Sequence, residues 1–184
     1  MSTNPKVRHG FVLGKFMPLH KGHVHLLRFA ANSCEHLTVL VCSQPHDSIS
    51  GALRYAWVRE MFPNATVVHV STPMPQEPNE HPDFWNIWRS TIERLVPESI
   101  DTVYASESYG WRLASELSAM FVPVDIARAM VSTSGTTVRN DPYQNWHMLP
   151  DVVRAHFVKR VTVLGPESVG KSTLVKNWLN TSQP

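Results

Sequence analysis

The 184-residue chain carries little charge of either sign: 17% of its residues are Asp, Glu, Lys or Arg, and the net charge is +2 with histidines neutral. So near a balance excludes the strongly basic surface of a general nucleic-acid binder, and no nucleic-acid partner is expected. Cysteine is scarce as well. The two present, Cys34 and Cys42, form no CxxC pair and sit among apolar residues. They read as buried free thiols, which excludes a disulfide scaffold and fits a reducing, cytoplasmic setting. No apolar run approaches the length of a membrane span, and residues 1–10 are polar with no hydrophobic signal region. Internal repeats and low-complexity segments are lacking too. What is present, 42% apolar residues in this length, suits one compact domain, or one domain plus a fragment of another, with a core that needs no staples.

Along the chain, strand-like and helix-like patterns alternate. Phe11–Leu13 is a short apolar run ending in Gly14, and a helical spacing follows from about Gly22 through Val24, Leu26, Leu27 and Ala30. Leu37–Cys42 and Thr66–Val70 are β-branched runs, with a helix over about 52–62 between them that stops at Pro63. Pro73, Pro75, Pro78 and Pro82 keep 71–83 extended. A helix is then expected from a cap at Asp83, with Trp85, Trp88, Ile92 and Leu95 at 3- and 4-residue spacing. Thr102–Ala105, a helix over 109–118 and Met120–Val124 complete the series. Such alternation predicts an α/β fold with a Rossmann-like parallel sheet and helices on both faces, where ligands bind at the carboxyl ends of the strands. A boundary is expected near 157–160: a helical stretch begins around Asp151, and Arg160–Leu164 reads as the first strand of something else.

Three segments carry chemistry. At the first strand-to-helix junction, His20 and His23 of His20-Lys21-Gly22-His23 fall on one side of a helix's opening turn, where free N–H groups and the dipole favour phosphate. Gly22 leaves the backbone open to a phosphate, and Lys15 at the end of the strand adds a charge. Plain surface histidines, or a two-histidine metal site, are the alternatives; no third ligand is evident nearby, so no protein metal site is expected. The second segment is Ser134-Gly135-Thr136-Thr137-Val138-Arg139. Its hydroxyls and N–H groups suit a polyphosphate, and Arg139 one turn on offers a planar fork. The third, Gly165-Pro166-Glu167-Ser168-Val169-Gly170-Lys171-Ser172, satisfies the Walker A pattern.

Taken together, these motifs resemble the HxGH nucleotidylyltransferase superfamily. The longer string GKFMPLHKGH, the Trp85-x-x-Trp88 pair and the trailing Walker A narrow the resemblance to the bifunctional nicotinamide-nucleotide adenylyltransferase and ribosylnicotinamide kinase family, over about residues 7–179. That resemblance implies an adenylyltransferase making NAD and pyrophosphate from ATP and nicotinamide mononucleotide. It implies an ATP site of Gly14, Lys15, Phe16, His20, Gly22, His23, Ser106, Glu107, Ser134, Thr136 and Arg139. His20, His23, Lys15 and Arg139 would be catalytic, and Mg2+ would be carried mainly by ATP. Trp85 and Trp88 are candidates to face the flat nicotinamide cation. Arg54 and Arg59 are candidates for the mononucleotide phosphate, a solvated helix face being the alternative.

Residues 1–158 are thus expected to form the adenylyltransferase domain, and 159–184 the incomplete start of a P-loop kinase. There Gly165, Gly170, Lys171 and Ser172 would be vestigial, because the thirteen residues after Lys171 cannot supply further strands or a nucleoside pocket. Other readings are a non-catalytic NAD- or ATP-sensing regulator and adenylyl transfer to another phosphate acceptor such as phosphopantetheine. The six residues before Val7 cannot hold a helix-turn-helix, so direct DNA control is not expected. No membrane partner is expected, and homo-oligomerisation stays open.

Overall fold

The computed structural model describes residues 7–181, with side chains to 178. Residues 1–6 and 182–184 lie outside the described residues, and with them most of the polar start and the last residues of the expected kinase fragment. A single five-stranded sheet organises the fold, every pairing in it parallel, in the order β3-β2-β1-β4-β5. Strand β1 (Val7–Gly14) is central; β2 (Cys34–Cys42) and β3 (Thr66–Val70) lie on one side, β4 (Thr102–Ala105) and β5 (Met120–Pro123) on the other. The α/β Rossmann-like architecture expected from the alternation is therefore the one observed.

Side-chain alternation along the strands feeds two cores. Val12, Val39, Val41 and Tyr104 pack with Leu27 of helix α1 (Lys21–Ser33) and Trp57 and Val58 of α2 (Gly51–Met61). Phe11, Leu40 and Val103 pack the other way, against Trp88 and Ile92 of α3 (Phe84–Leu95) and Leu113 of α4 (Tyr109–Glu116). Gly10 marks where the central strand is most tightly enclosed. A Cβ there would lie 2.8 Å from both Cys34 Sγ and a ring carbon of Tyr104.

Two local expectations need correcting. Asp83 occupies the cap position of α3, but its side chain makes no capping hydrogen bond. Arg160–Leu164 is not a strand: no other strand pairs with it, and Val161 and Leu164 are 61% and 86% exposed. A β-branched run without a ladder partner has nothing to satisfy its backbone groups except water. After α6 (Asp151–Phe157) the chain has no helix or strand until α7 (Lys171–Thr181).

Arg54 is also placed otherwise than expected. Its side chain is completely buried, and each of its three guanidinium nitrogens donates a hydrogen bond. Nε donates to the carbonyl of Ile49 at 2.9 Å, one terminal nitrogen to the carbonyls of Lys15 and Cys42, and the other to the Asp47 carboxylate. These bonds tie the carboxyl ends of β1 and β2 to the turn before α2. Arg59 lies exposed on the same helix with its guanidinium 5.5 Å over the Tyr55 ring. Neither arginine lines the cleft described below. Replacing Arg54 with Ala strands a buried carboxylate and several carbonyls, and is expected to lower stability by about 3–5 kcal/mol. Urea denaturation of the variant beside the wild type measures this directly.

Candidate active site

A cleft of about 680 Å3 opens at the carboxyl ends of β1 and β4. These neighbours lie where the strand order reverses, the position at which parallel α/β sheets leave a crevice. On one wall the chain leaves β1 through Lys15, exposed, and Phe16, buried at φ 50°. Left-handed backbone is unusual for a bulky residue. Here it turns the Phe16 ring inward, edge-on to His23 at 5.1 Å between centroids, while Lys15 stays in the cleft wall. A cis Met17–Pro18 bond follows, and then α1.

His20 is the N-cap of α1. Its Nδ1 accepts the Gly22 N–H at 3.1 Å, so the ring's proton belongs on Nε2. Burial lowers its pKa to about 4, and the charge of Arg128 adds to the effect. His23 stacks on His20 with centroids 3.8 Å apart and 27° between planes. Burial, then the His20 ring, holds it well below the usual histidine range, the Pro18 backbone pulling the other way. Two neutral imidazoles thus meet at a helix N-terminus. His23 Nδ1 is buried with no geometrically satisfied hydrogen-bond partner, as is Thr133 Oγ1, another residue of the cleft wall.

The opposite wall is α5 (Gly135–Asn140). Ser134 caps it, its Oγ accepting the Thr137 N–H at 3.1 Å. Arg139 reaches across a sequence separation of 122 residues to donate to the Met17 carbonyl, and its other terminal nitrogen donates to Thr136 Oγ1 at 3.3 Å. The same carbonyl explains Gly135, where a Cβ would come within 3.1 Å of Met17 O. One backbone oxygen therefore locks the two phosphate-like segments together.

Ser106 and Glu107 border the cleft at the end of β4, with Tyr109 behind them donating to the Leu13 carbonyl at 2.6 Å. Burial, then the Glu107 charge, pushes the Tyr109 hydroxyl's pKa up, so it serves as a fixed donor. Trp85 and Trp88 also border the cleft. Trp88 is 5% exposed and donates its indole N–H to the Pro75 carbonyl at 2.9 Å; Trp85 is half-buried, with the Arg112 guanidinium 5.8 Å over its ring.

Gly14, Lys15, Phe16, His20, Gly22, His23, Ser106, Glu107, Ser134, Thr136 and Arg139 all border this one cleft, as do both tryptophans. Gly165, Gly170, Lys171 and Ser172 do not: Lys171 Nζ is turned back on the carbonyls of its own loop, Gly165 (2.9 Å) and Pro166. Arg128, Thr133 and Tyr109 border the cleft without belonging to any recognisable motif. Only the strand-end position of Tyr109, just after Ser106 and Glu107, offered a signal in the sequence. No helix among the described residues is long and apolar enough to cross a membrane.

Comparison with known proteins agrees with this geometry. The cytidylyltransferase-like family matches residues 11–177. The trifunctional NAD biosynthesis/regulator protein NadR of Escherichia coli K12 is 29% identical over 189 residues, covering 93% of this chain and 46% of that protein. The chain thus spans about half the length of the NadR proteins it matches. A nicotinamide-nucleotide adenylyltransferase of Methanococcus maripaludis is 22% identical over 78% of this chain and 84% of its own length. Among solved structures, NadR in complex with NR superposes with a TM-score of 0.75 at 26% identity, over 96% of this chain and 53% of that one. NadR in complex with NAD and AMP-PNP gives 0.71 at 26% identity, over 96% and 55%. Since the family match runs through both walls of the cleft, the chain belongs to the cytidylyltransferase-like family of nucleotidyltransferases.

Proposed function

We propose that the chain transfers the adenylyl group of ATP to nicotinamide mononucleotide, releasing pyrophosphate and forming NAD. One observation carries the reading. The HKGH turn and the Ser134–Arg139 helix, joined at the Met17 carbonyl, line one cleft together with Trp85 and Trp88. The first two suit a polyphosphate, the last a flat aromatic cation. The solved relatives support it, since one NadR structure contains NAD with AMP-PNP and another NR.

In this reading an oxygen of the mononucleotide phosphate attacks the α-phosphorus of ATP, and the bond to the β-phosphate breaks with its electrons leaving on pyrophosphate. No covalent enzyme intermediate is needed. His20 and His23, neutral and at the helix N-terminus, donate hydrogen bonds to phosphoryl oxygens without bringing a proton to be lost. Lys15 and the α5 terminus, with Ser134, Thr136 and Arg139, take up the charge that develops on the leaving pyrophosphate. Trp85, the more exposed of the pair, faces the nicotinamide ring, and Trp88 supports it from the core. ATP arrives as its Mg2+ complex. The chain's own part in this reading is to position phosphates.

Folded protein incubated with ATP, Mg2+ and nicotinamide mononucleotide should yield NAD and pyrophosphate in equal amounts. Protein that binds ATP yet makes no NAD would instead point to a sensing domain or another acceptor. His23→Ala should lower kcat by about 100- to 1000-fold with an unchanged circular dichroism spectrum; a wild-type rate would refute the assignment. Acid should weaken the fold through the same histidines. Their folded-state pKa values lie below the ordinary 6.5, so the unfolded chain takes up protons first. Stability holds above pH 6.5, declines as pH drops below it, and the His20 contribution is fully lost once pH falls through about 4. Thermal melting across that range checks it, and His20→Asn should flatten the profile. We further propose that the Walker A segment, as it stands among the described residues, adds no tight nucleotide site, because Lys171 Nζ is engaged by the carbonyls of its own loop and Arg160–Leu164 pairs with no strand there. Tight ATP binding that survives loss of His23 but vanishes in Lys171→Ala would contradict that.

A further inference from the structure

Between β5 and α5 the chain makes a closed turn with no motif in its sequence. Asp125, at φ 52°, folds it: the two carboxylate oxygens accept the N–H groups of Met130 and Val131, each at 3.0 Å. The Asp125 carbonyl accepts the Arg128 N–H at 2.8 Å. Arg128 itself is held at φ 53°, a left-handed conformation that few non-glycine residues adopt and that an ordered turn must enforce. This turn carries the Arg128 side chain into the wall of the cleft.

There its guanidinium meets Glu107, from the end of β4, at 3.7 Å, and the two side chains are 46% and 61% exposed. An ion pair this long and this wet is worth little, and either partner exchanges readily for a better one. Arg139 is differently placed, with its terminal nitrogens already on Met17 O and Thr136 Oγ1. Arg128 also lies within electrostatic reach of both site histidines, lowering the proton affinity of each. The cleft therefore keeps a cation beside two neutral imidazoles, weakly held by an exposed carboxylate. A phosphoryl group at the HKGH turn would offer that cation a multiply charged, bidentate acceptor.

We infer that Arg128 is a further phosphate-gripping residue of this cleft, resting on Glu107 until the triphosphate of ATP takes its guanidinium. The inference rests on the proposed function only in taking ATP as the ligand; the acceptor plays no part in it.

The test is to titrate the wild type, Arg128→Gln and Arg128→Lys with Mg-ATP and, separately, with adenosine, without acceptor, following binding by NMR shifts and calorimetry. Arg128→Gln keeps most of the side chain's stem at an exposed position. It should weaken ATP by about 10- to 100-fold, the usual loss of a charged hydrogen-bond partner. Adenosine, which lacks phosphate, should bind as to the wild type, and Arg128→Lys should recover part of the loss. Unchanged ATP affinity in Arg128→Gln would overturn the inference, as would a parallel loss of adenosine, which would make Arg128 a support for the turn. An enzyme that makes no NAD but still binds ATP through Arg128 would sink the acceptor and leave this inference standing. An NAD-forming enzyme indifferent to Arg128→Gln would do the reverse.

Discussion

The buried guanidinium of Arg54 is the constraint on which the cleft depends. A charge removed entirely from water is tolerated only when its donors are matched, and here the acceptors come from three separate segments. Lys15 and Cys42 contribute carbonyls from the ends of adjacent strands, while Ile49 and Asp47 belong to the connection into α2. Asp47 in turn accepts the Gln44 N–H at 2.8 Å, so the connection is braced from within. With the Lys15 carbonyl turned toward Arg54, the chain beyond it has little choice of path. Phe16 swings under the histidines and Met17 presents its own carbonyl to the other wall.

That second carbonyl converts the carboxyl end of the sheet into a site. Parallel order alone would leave a crevice between β1 and β4, as it does in any sheet of this connectivity. Arg139 and the bare Cα of Gly135 bring α5 close enough to make the crevice two-walled. The electrostatics then divide the labour. Cationic side chains stand along the walls, while the imidazoles at the centre are kept neutral first by burial, with the His20 ring adding to the effect on His23 and the Arg128 charge to both. Neutral donors at the centre of a cationic frame suit the proposed phosphate ligand, since they carry no proton equilibrium in the working pH range.

Much of this was legible in the sequence, for physical reasons. Strand and helix periods differ, so the alternation up to Val124 could be read directly, and sheet topology then placed His20, Ser106 and Ser134 at one end. What could not be read depended on convergence in space. Arg54 carries no mark that distinguishes a buried clamp from a ligand or a wet helix face; only Asp47 and the carbonyls of Ile49, Cys42 and Lys15 decide it. Arg128 sits in an irregular turn whose shape comes from the Asp125 carboxylate, and no spacing rule anticipates that. His20 showed the converse limit. The motif offers its ring as a phosphate ligand, and no spacing shows that one nitrogen is occupied with capping its own helix. Arg160–Leu164 has the composition of a strand but no neighbour to pair with, and composition cannot supply one.

The Arg139–Met17 contact has a consequence for when the cleft comes into being. It closes a loop of 122 residues, spanning nearly the whole distance from β1 to α5. Contacts of such sequence separation form late, because the loop entropy is repaid only once the intervening elements are in place. The HKGH turn is synthesised before β4, β5 and α5, so its partner wall follows it. The HKGH turn therefore stays without its partner wall until α5 has docked, and the two-walled cleft is a property of the completed sheet.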